Sequence, residues 1–215
     1  MMTKQVVQTK KEVLIMSKRV YISADYSPAD GDREVVDVLH QWAKDNYHVI
    51  EFADTARVVS GSVSNNPDCR SCDLKAEFNR QINISSIALF VIGDKTSSRT
   101  AGSTCRRQSN GVFCTCTPYK QNTNGLSYCK VLNISTSDYD VNPVNNYSYL
   151  QHEFEQAKKK GKTIIVAYNS LYKQPSWLPW YMSTYANEAQ PFWIKNVWGN
   201  RIGNYSFIKK ALGYE

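Results

Sequence analysis

What most constrains this chain is a series of short apolar, β-rich runs separated by stretches of helical periodicity. The sharpest run is "SIALFVIGD" (86–94). It is apolar at almost every position, as in a strand covered on both faces, and it is too short for a core helix. "KRVYISADY" (18–26), "YHVIEFAD" (47–54) and "KTIIVAYN" (162–169) read as further strands. Between them, "DGDREVVDVLHQWAKDN" (30–46) repeats Val35, Val38, Leu39 and Trp42 at helical spacing, with acidic residues in its first turn, where the helix dipole favours them. "DLKAEFNRQINIS" (73–85) sets Leu74, Phe78 and Ile82 four apart, which predicts a second helix. The order β-α-β-α-β, an insertion, then α-β, a mixed segment and a last helix predicts a doubly wound α/β domain with a mainly parallel sheet. Ligands of such domains bind outside the carboxyl ends of the strands.

The alternation is broken twice. "RVVSGSVSNNPDCRSC" (57–72) is polar and reads as a loop. Residues 95–146 are rich in Ser, Thr, Asn and Cys with little periodicity, and a structureless stretch of that length is characteristically functional or a small insertion, here placed at 100–146. The 215 residues suit one domain. Met16 stands just before the first convincing strand, so residues 1–16 read as a flexible leader and 17–215 as a single domain. The segment "LYKQPSWLPWYMSTYANEAQPFWIKNVWG" (171–199) holds four of the five tryptophans, and its prolines permit only short elements. It reads mainly as core and loop packing, with a surface share suited to self-association or ligand stacking. "NYSFIKKALGY" reads as a closing short helix.

No apolar run approaches the roughly 20 residues that a bilayer span needs. The start, "MMTKQVVQTKKEVLIM", lacks the continuous apolar stretch of a signal peptide, so a cytoplasmic location is expected, with no membrane partner. The net charge of +7 raises the possibility of an anionic partner, but the lysines are spread along the chain, which favours a solvated surface over a nucleic-acid site.

The helix predicted at 148–160 carries two glutamates two positions apart. Ser148 and Gln151 have capping-box spacing, and Gly161 is a natural stop. Leu150, Phe154 and Ala157 share one face, which should pack on the sheet. Glu153 lies roughly 60–70° from the centre of that face, and Glu155 more than about 130° away. Glu155 is therefore expected in solvent, paired with Lys158 or Lys159. Glu153 is expected at the edge of the buried face, near the carboxyl edge of the sheet. Two readings of it remain open: a charge that complements the helix dipole, or a catalytic carboxylate tuned by partial burial.

Taken together, "KRVYISADYSPAD", "INISSIALFVIGDKTSSRT" and "YLQHEFEQAKKKGKTIIVAYN" resemble TIR and TIR-like domains, in particular the bacterial Thoeris-type TIR-like proteins of anti-phage defence. The resemblance covers roughly residues 18–100 and 147–170. Tyr149, Glu153, Gly161 and Ile164–Ile165 fill the family's pattern of an aromatic residue, three positions, a Glu, a basic stretch, Gly and the fourth strand. It implies a flavodoxin-like three-layer sandwich with a five-stranded sheet. It further implies an enzyme that cleaves NAD+ at the nicotinamide–ribose bond and makes an ADP-ribose-derived signal for a downstream effector protein. NAD would then be substrate, and Glu153 catalytic. Ser23, Asp25 and Tyr26 follow the first strand, where the family's loop lines the nucleotide pocket. Tyr26 suits stacking on a base or a nicotinamide ring. Asp25 suits two roles equally, holding a ribose hydroxyl or capping the following turn. Ser97 and Ser98, after the third strand, are weaker pocket candidates, and Tyr149 joins them through the motif. The chain has no G-x-G-x-x-G after its first strand, so NAD would not bind in the Rossmann manner. The alternative within the family is a non-enzymatic interaction module, and a homo-oligomer is compatible with either.

Six cysteines complete the inventory. In a reducing compartment they are thiols or metal ligands more often than disulfides. Cys105, Cys114, Cys116 and Cys129 fall in the insertion with spacing C-x8-C-x-C-x12-C. Four thiols suffice for structural zinc, but without paired C-x2-C knuckles the pattern favours structural thiols or a disulfide instead. Cys69 and Cys72 have C-x2-C spacing but no second such pair. Their polar context argues against a redox motif.

Overall fold

A computed structural model describes residues 18–27, 31–44, 50–54, 67–99 and 148–214, with backbone alone at 67–73. The expected leader 1–16, the insertion 100–146 and its four cysteines lie outside the described residues, as do the first strand residues expected at 47–49.

The elements are β1 (Lys18–Ser23), α1 (Arg33–Trp42), β2 (Ile50–Asp54), α2 (Pro67–Ile84), β3 (Ile87–Ile92), α3 (Tyr149–Lys159), β4 (Thr163–Tyr168), β5 (Gln190–Pro191), β6 (Trp193–Lys195), β7 (Arg201–Gly203) and α4 (Tyr205–Ala211). Five strands form one parallel sheet in the order β2-β1-β3-β4-β5, and β6 and β7 form a separate antiparallel pair. The fold class is that expected: α/β, with a five-stranded parallel sheet between helices, as in a flavodoxin-like three-layer sandwich.

Strand period sorts the core into two layers. Val20, Ile22, Leu89 and Val91 point to one face and meet Val35, Val36 and Leu39 of α1 and Ile208 of α4. Tyr21, Ala88, Phe90 and Ile92 point to the other and meet Ile82 of α2 and Leu150, Phe154 and Ala157 of α3. β3 is buried at all six positions, which explains its unbroken apolar sequence. Because β2 and β3 lie on opposite sides of β1, the order reverses between β1 and β3, and this opens a crevice at their carboxyl ends.

One boundary is corrected. The polar stretch through Cys72 reads as a loop, yet α2 begins at Pro67, so Cys69 and Cys72 lie on a helix. Proline at the first helical position loses no hydrogen bond there, and its fixed φ suits the turn. A polar first turn carries no apolar periodicity to reveal it.

Candidate functional site

α3 starts where its capping signal lies. The Ser148 hydroxyl accepts the Gln151 backbone N–H at 2.9 Å. Gly161 closes the helix at φ 60°, in the left-handed region that favours glycine. This fixes the helical phase, and Phe154 is fully buried against Phe90, their ring centroids 5.6 Å apart. Glu153, next to it, is buried too, at 4% exposure, and Glu155 is half-buried. Glu153 thus sits deeper than the edge position expected from periodicity. The reason is that α2 packs along that side of α3 and covers it.

Glu153 lies in the wall of a cavity of about 370 Å³ at the carboxyl edge of the sheet. The loop after β1 contributes Ala24, Asp25, Tyr26 and Ser27. Leu74 and Phe78 come from α2, and Thr96 and Arg99 follow β3. Ser148, Tyr149 and Leu150 open α3 and complete the wall. Phe78 and Tyr149 meet edge to face with centroids 5.5 Å apart.

The carboxyl has defined neighbours. Ser23, the last residue of β1, donates its hydroxyl to Glu153 Oε2. Tyr21, two residues earlier and so on the same strand face, also acts on it. Burial raises Glu153 to about 8, and the Ser23 bond, Tyr21 and the charge of Lys75 pull it back only in part. At neutral pH the group is mainly a neutral acid that ionises readily when a positive charge arrives. Such a carboxyl can stabilise a developing cation or move a proton.

Tyr26 is raised well above its ordinary value by burial first, then by Asp54 and Glu153. It stays neutral, and its buried hydroxyl has no hydrogen-bond partner among the described residues. Asp25 is engaged at both oxygens: Oδ1 accepts the Ser27 N–H at 2.9 Å and so caps the turn, and Oδ2 takes Arg99 Nε at 2.6 Å at the cavity mouth. Ser97 and Ser98 do not line the cavity; both are exposed on the short 3-10 turn after β3. Thr96 takes that place, 4% exposed, its hydroxyl accepting the Gly93 N–H at 2.8 Å.

Of the residues singled out from sequence, Asp25, Tyr26, Tyr149 and Glu153 line one cavity and Ser23 joins them through its bond to Glu153, whereas Tyr21, Lys75, Thr96 and Arg99 were missed. Tyr21 was legible as the same-face neighbour of Ser23. Lys75 was not, since a lysine beside an apolar stripe reads as surface.

Behind the cavity rim a second polar group braces the loops. Asp32, 2% exposed, accepts Asn169 Nδ2 at 2.8 Å, and Asn169 Oδ1 in turn accepts Trp193 Nε1 at 2.6 Å. Burial raises Asp32 to about 6 against the bonds from Asn169 and the Asp25 N–H. Gly93 lies so close that a Cβ there would stand 2.5 Å from Asp32 Oδ1. Among the described residues no group of three or more His, Cys, Asp or Glu is placed to hold a metal, and no helix is long and apolar enough to cross a membrane. Compared with protein-family models, with curated proteins and with solved structures, the chain matches none.

Proposed function

We propose that the chain cleaves NAD+ at the nicotinamide–ribose bond, with Glu153 as the catalytic carboxylate. The product would be nicotinamide and an ADP-ribose-derived signal read by an effector protein, in bacterial anti-phage defence. The observation that carries this reading is the buried Glu153 carboxyl in the wall of a small-molecule-sized cavity at the sheet's carboxyl edge. The N-glycosidic bond breaks with its electron pair going to the nicotinamide ring nitrogen. That ring leaves neutral and needs no acid. The ribose is left oxocarbenium-like, as in glycoside cleavage, and an ionised Glu153 beside it stabilises the charge. Water, losing a proton to Glu153 and so to solvent, or a nucleophile from the ligand itself, then bonds to the anomeric carbon. Cationic nicotinamide favours the ionised carboxyl on entry, so the substrate itself draws Glu153 from its neutral form. Tyr26 and Tyr149 supply aromatic faces for the ring, and Arg99 supplies a cation at the mouth for the pyrophosphate.

The test is nicotinamide release from NAD+ by wild type, Glu153→Gln and Glu155→Gln, together with mass spectrometry of nucleotides from phage-challenged cells. Release lost in the first variant and kept in the second supports the reading. The interaction-module reading draws on the β6–β7 hairpin, which exposes Ile194, Ile202, Val197 and Trp198. Absence of turnover under every activating condition, with self-association intact, would favour it.

A further inference from the structure

The seam between α2 and α3 carries buried polar groups beside its apolar contacts. Lys75 and Asn79 of α2 are fully buried, and His152, Glu153 and Gln156 of α3 are each 3–4% exposed. His152 Nε2 lies 3.3 Å from the Lys75 carbonyl oxygen, and Gln156 Nε2 donates to Asn83 Oδ1 at 2.8 Å. Helix–helix seams are ordinarily apolar, and lysine is almost never fully buried without an anion to answer it. Leu74, the residue before Lys75, lines the cavity. The Lys75 ammonium lies 6.0 Å from the ring centroid of Tyr149, and Glu153 is one helical turn beyond Tyr149 on the same side of α3. A buried ammonium therefore stands behind the cavity wall that carries the buried carboxyl.

We propose that Lys75 is a positioning residue for Glu153: its buried ammonium supplies the positive charge that favours the ionised form of the carboxyl in the cavity wall. The catalytic consequence rests on the proposed NAD+ cleavage; the electrostatic pairing does not. Lys75 touches no substrate and acts only through Glu153. Among the described residues, the titratable groups that act on Glu153 or neighbour it are Tyr21 from β1, Tyr26 from the loop after it, Lys75 from α2, His152 beside it on α3 and Tyr181 from the segment after β4. Tyr26 and Tyr181 are raised by burial and so stay neutral near pH 7. Asp25 and Arg99 at the mouth pair with each other. Among these described groups Lys75 is the one whose charge acts on Glu153 in the direction that favours ionisation.

The experiment follows the side-chain carboxyl carbon of Glu153 by NMR, assigned by its loss in Glu153→Gln, as pH is raised in the full chain. In Lys75→Met the Glu153 midpoint is expected to rise by about one unit or more, and in Lys75→Arg to stay within about half a unit of wild type. Linkage requires the reciprocal effect, so the Lys75 midpoint should fall by a similar amount in Glu153→Gln, a near-isosteric change that keeps the test decisive if Lys75→Met does not fold. In turnover, Lys75→Met should lower kcat about tenfold at pH 7 with KM nearly unchanged, and should regain rate at higher pH. Unmoved midpoints in both directions overturn the proposal. Moved midpoints in a protein that releases no nicotinamide uphold the pairing and sink the NAD+ reading alone.

Discussion

The Ser23 hydroxyl, at the last residue of β1, donates to the carboxyl of Glu153, 130 positions further along the chain. This bond ties β1 to the second turn of α3 and fixes which carboxyl oxygen faces the sheet. A hydrogen bond to a charged group is worth about 1.5–3 kcal/mol. Ser23→Ala should therefore push Glu153 above its value of about 8 and, for the proposed NAD+ cleavage, move the rising limb of the kcat–pH profile to higher pH. At pH 7 the rate should fall roughly 10–100-fold. A limb that stays in place would show that the bond does not act on the ionised form.

Glu153 also makes stability depend on pH. Its folded value is raised from 4.5 to about 8, so the native state holds a proton that the unfolded chain has lost. No penalty exists below about pH 4.5. It grows as pH rises from there to about 8, and is constant above. Linkage puts its full size on the order of 3–5 kcal/mol. Glu153→Gln should thus raise Tm over wild type by several degrees at pH 8 and by little at pH 5. Thermal unfolding at the two pH values checks this, and a gain of equal size at both would refute it.

The brace behind the cavity should be brittle. Asn169→Ala removes the donor to Asp32 and the acceptor of the Trp193 indole N–H together. Each buried polar group left alone costs about 1–3 kcal/mol. A loss of at least about 2 kcal/mol in urea unfolding is expected, with a change in tryptophan emission as Trp193 is released.

Gly93→Ala tests the close approach of β3's exit to the loop before α1. The new methyl would meet Asp32 Oδ1 at 2.5 Å, and Asn169 holds that carboxyl in place. A destabilisation of about 1–3 kcal/mol is expected. In Asp32→Ala the same glycine change should cost less, because the obstructing atoms are gone. Equal costs in the two backgrounds would rule out the steric account.

Thr96 and Ser97 separate a cavity residue from its neighbour. Thr96→Val removes the acceptor of the Gly93 N–H and should cost about 1 kcal/mol. Ser97→Ala, at an exposed position, should stay within about 0.5 kcal/mol of wild type, with substrate affinity unchanged.

The local determinants of the fold were written in short stretches of sequence. The apolar run of β3, the Ser148 cap and the Gly161 stop each rest on physics confined to a few residues, and all three stand where local rules put them. The alternation of strands and helices carried the parallel sheet with it, since parallel neighbours need crossovers. The start of α2 escaped because a polar first turn has no period to detect.

The candidate site was legible only in part, for the same reason. Helical phase separated Glu153 from Glu155, and strand exits pointed to Ser23, Asp25 and Tyr26. What periodicity could not give was the depth of Glu153, since that depends on α2 lying across it. Nor could it distinguish Thr96 from Ser97, where the phase of one short turn decides which side chain faces in.

The sequence by itself determined the elements, their order and the class of sheet, because those follow from propensity and period within ten or so residues. The tertiary structure decided the chemistry. Desolvation raises Glu153, Ser23 and Tyr21 meet it from β1, and Lys75 stands behind it from α2. Burial and charge proximity are properties of the assembled layers, summed over segments far apart in the chain, and no single stretch of residues contains them.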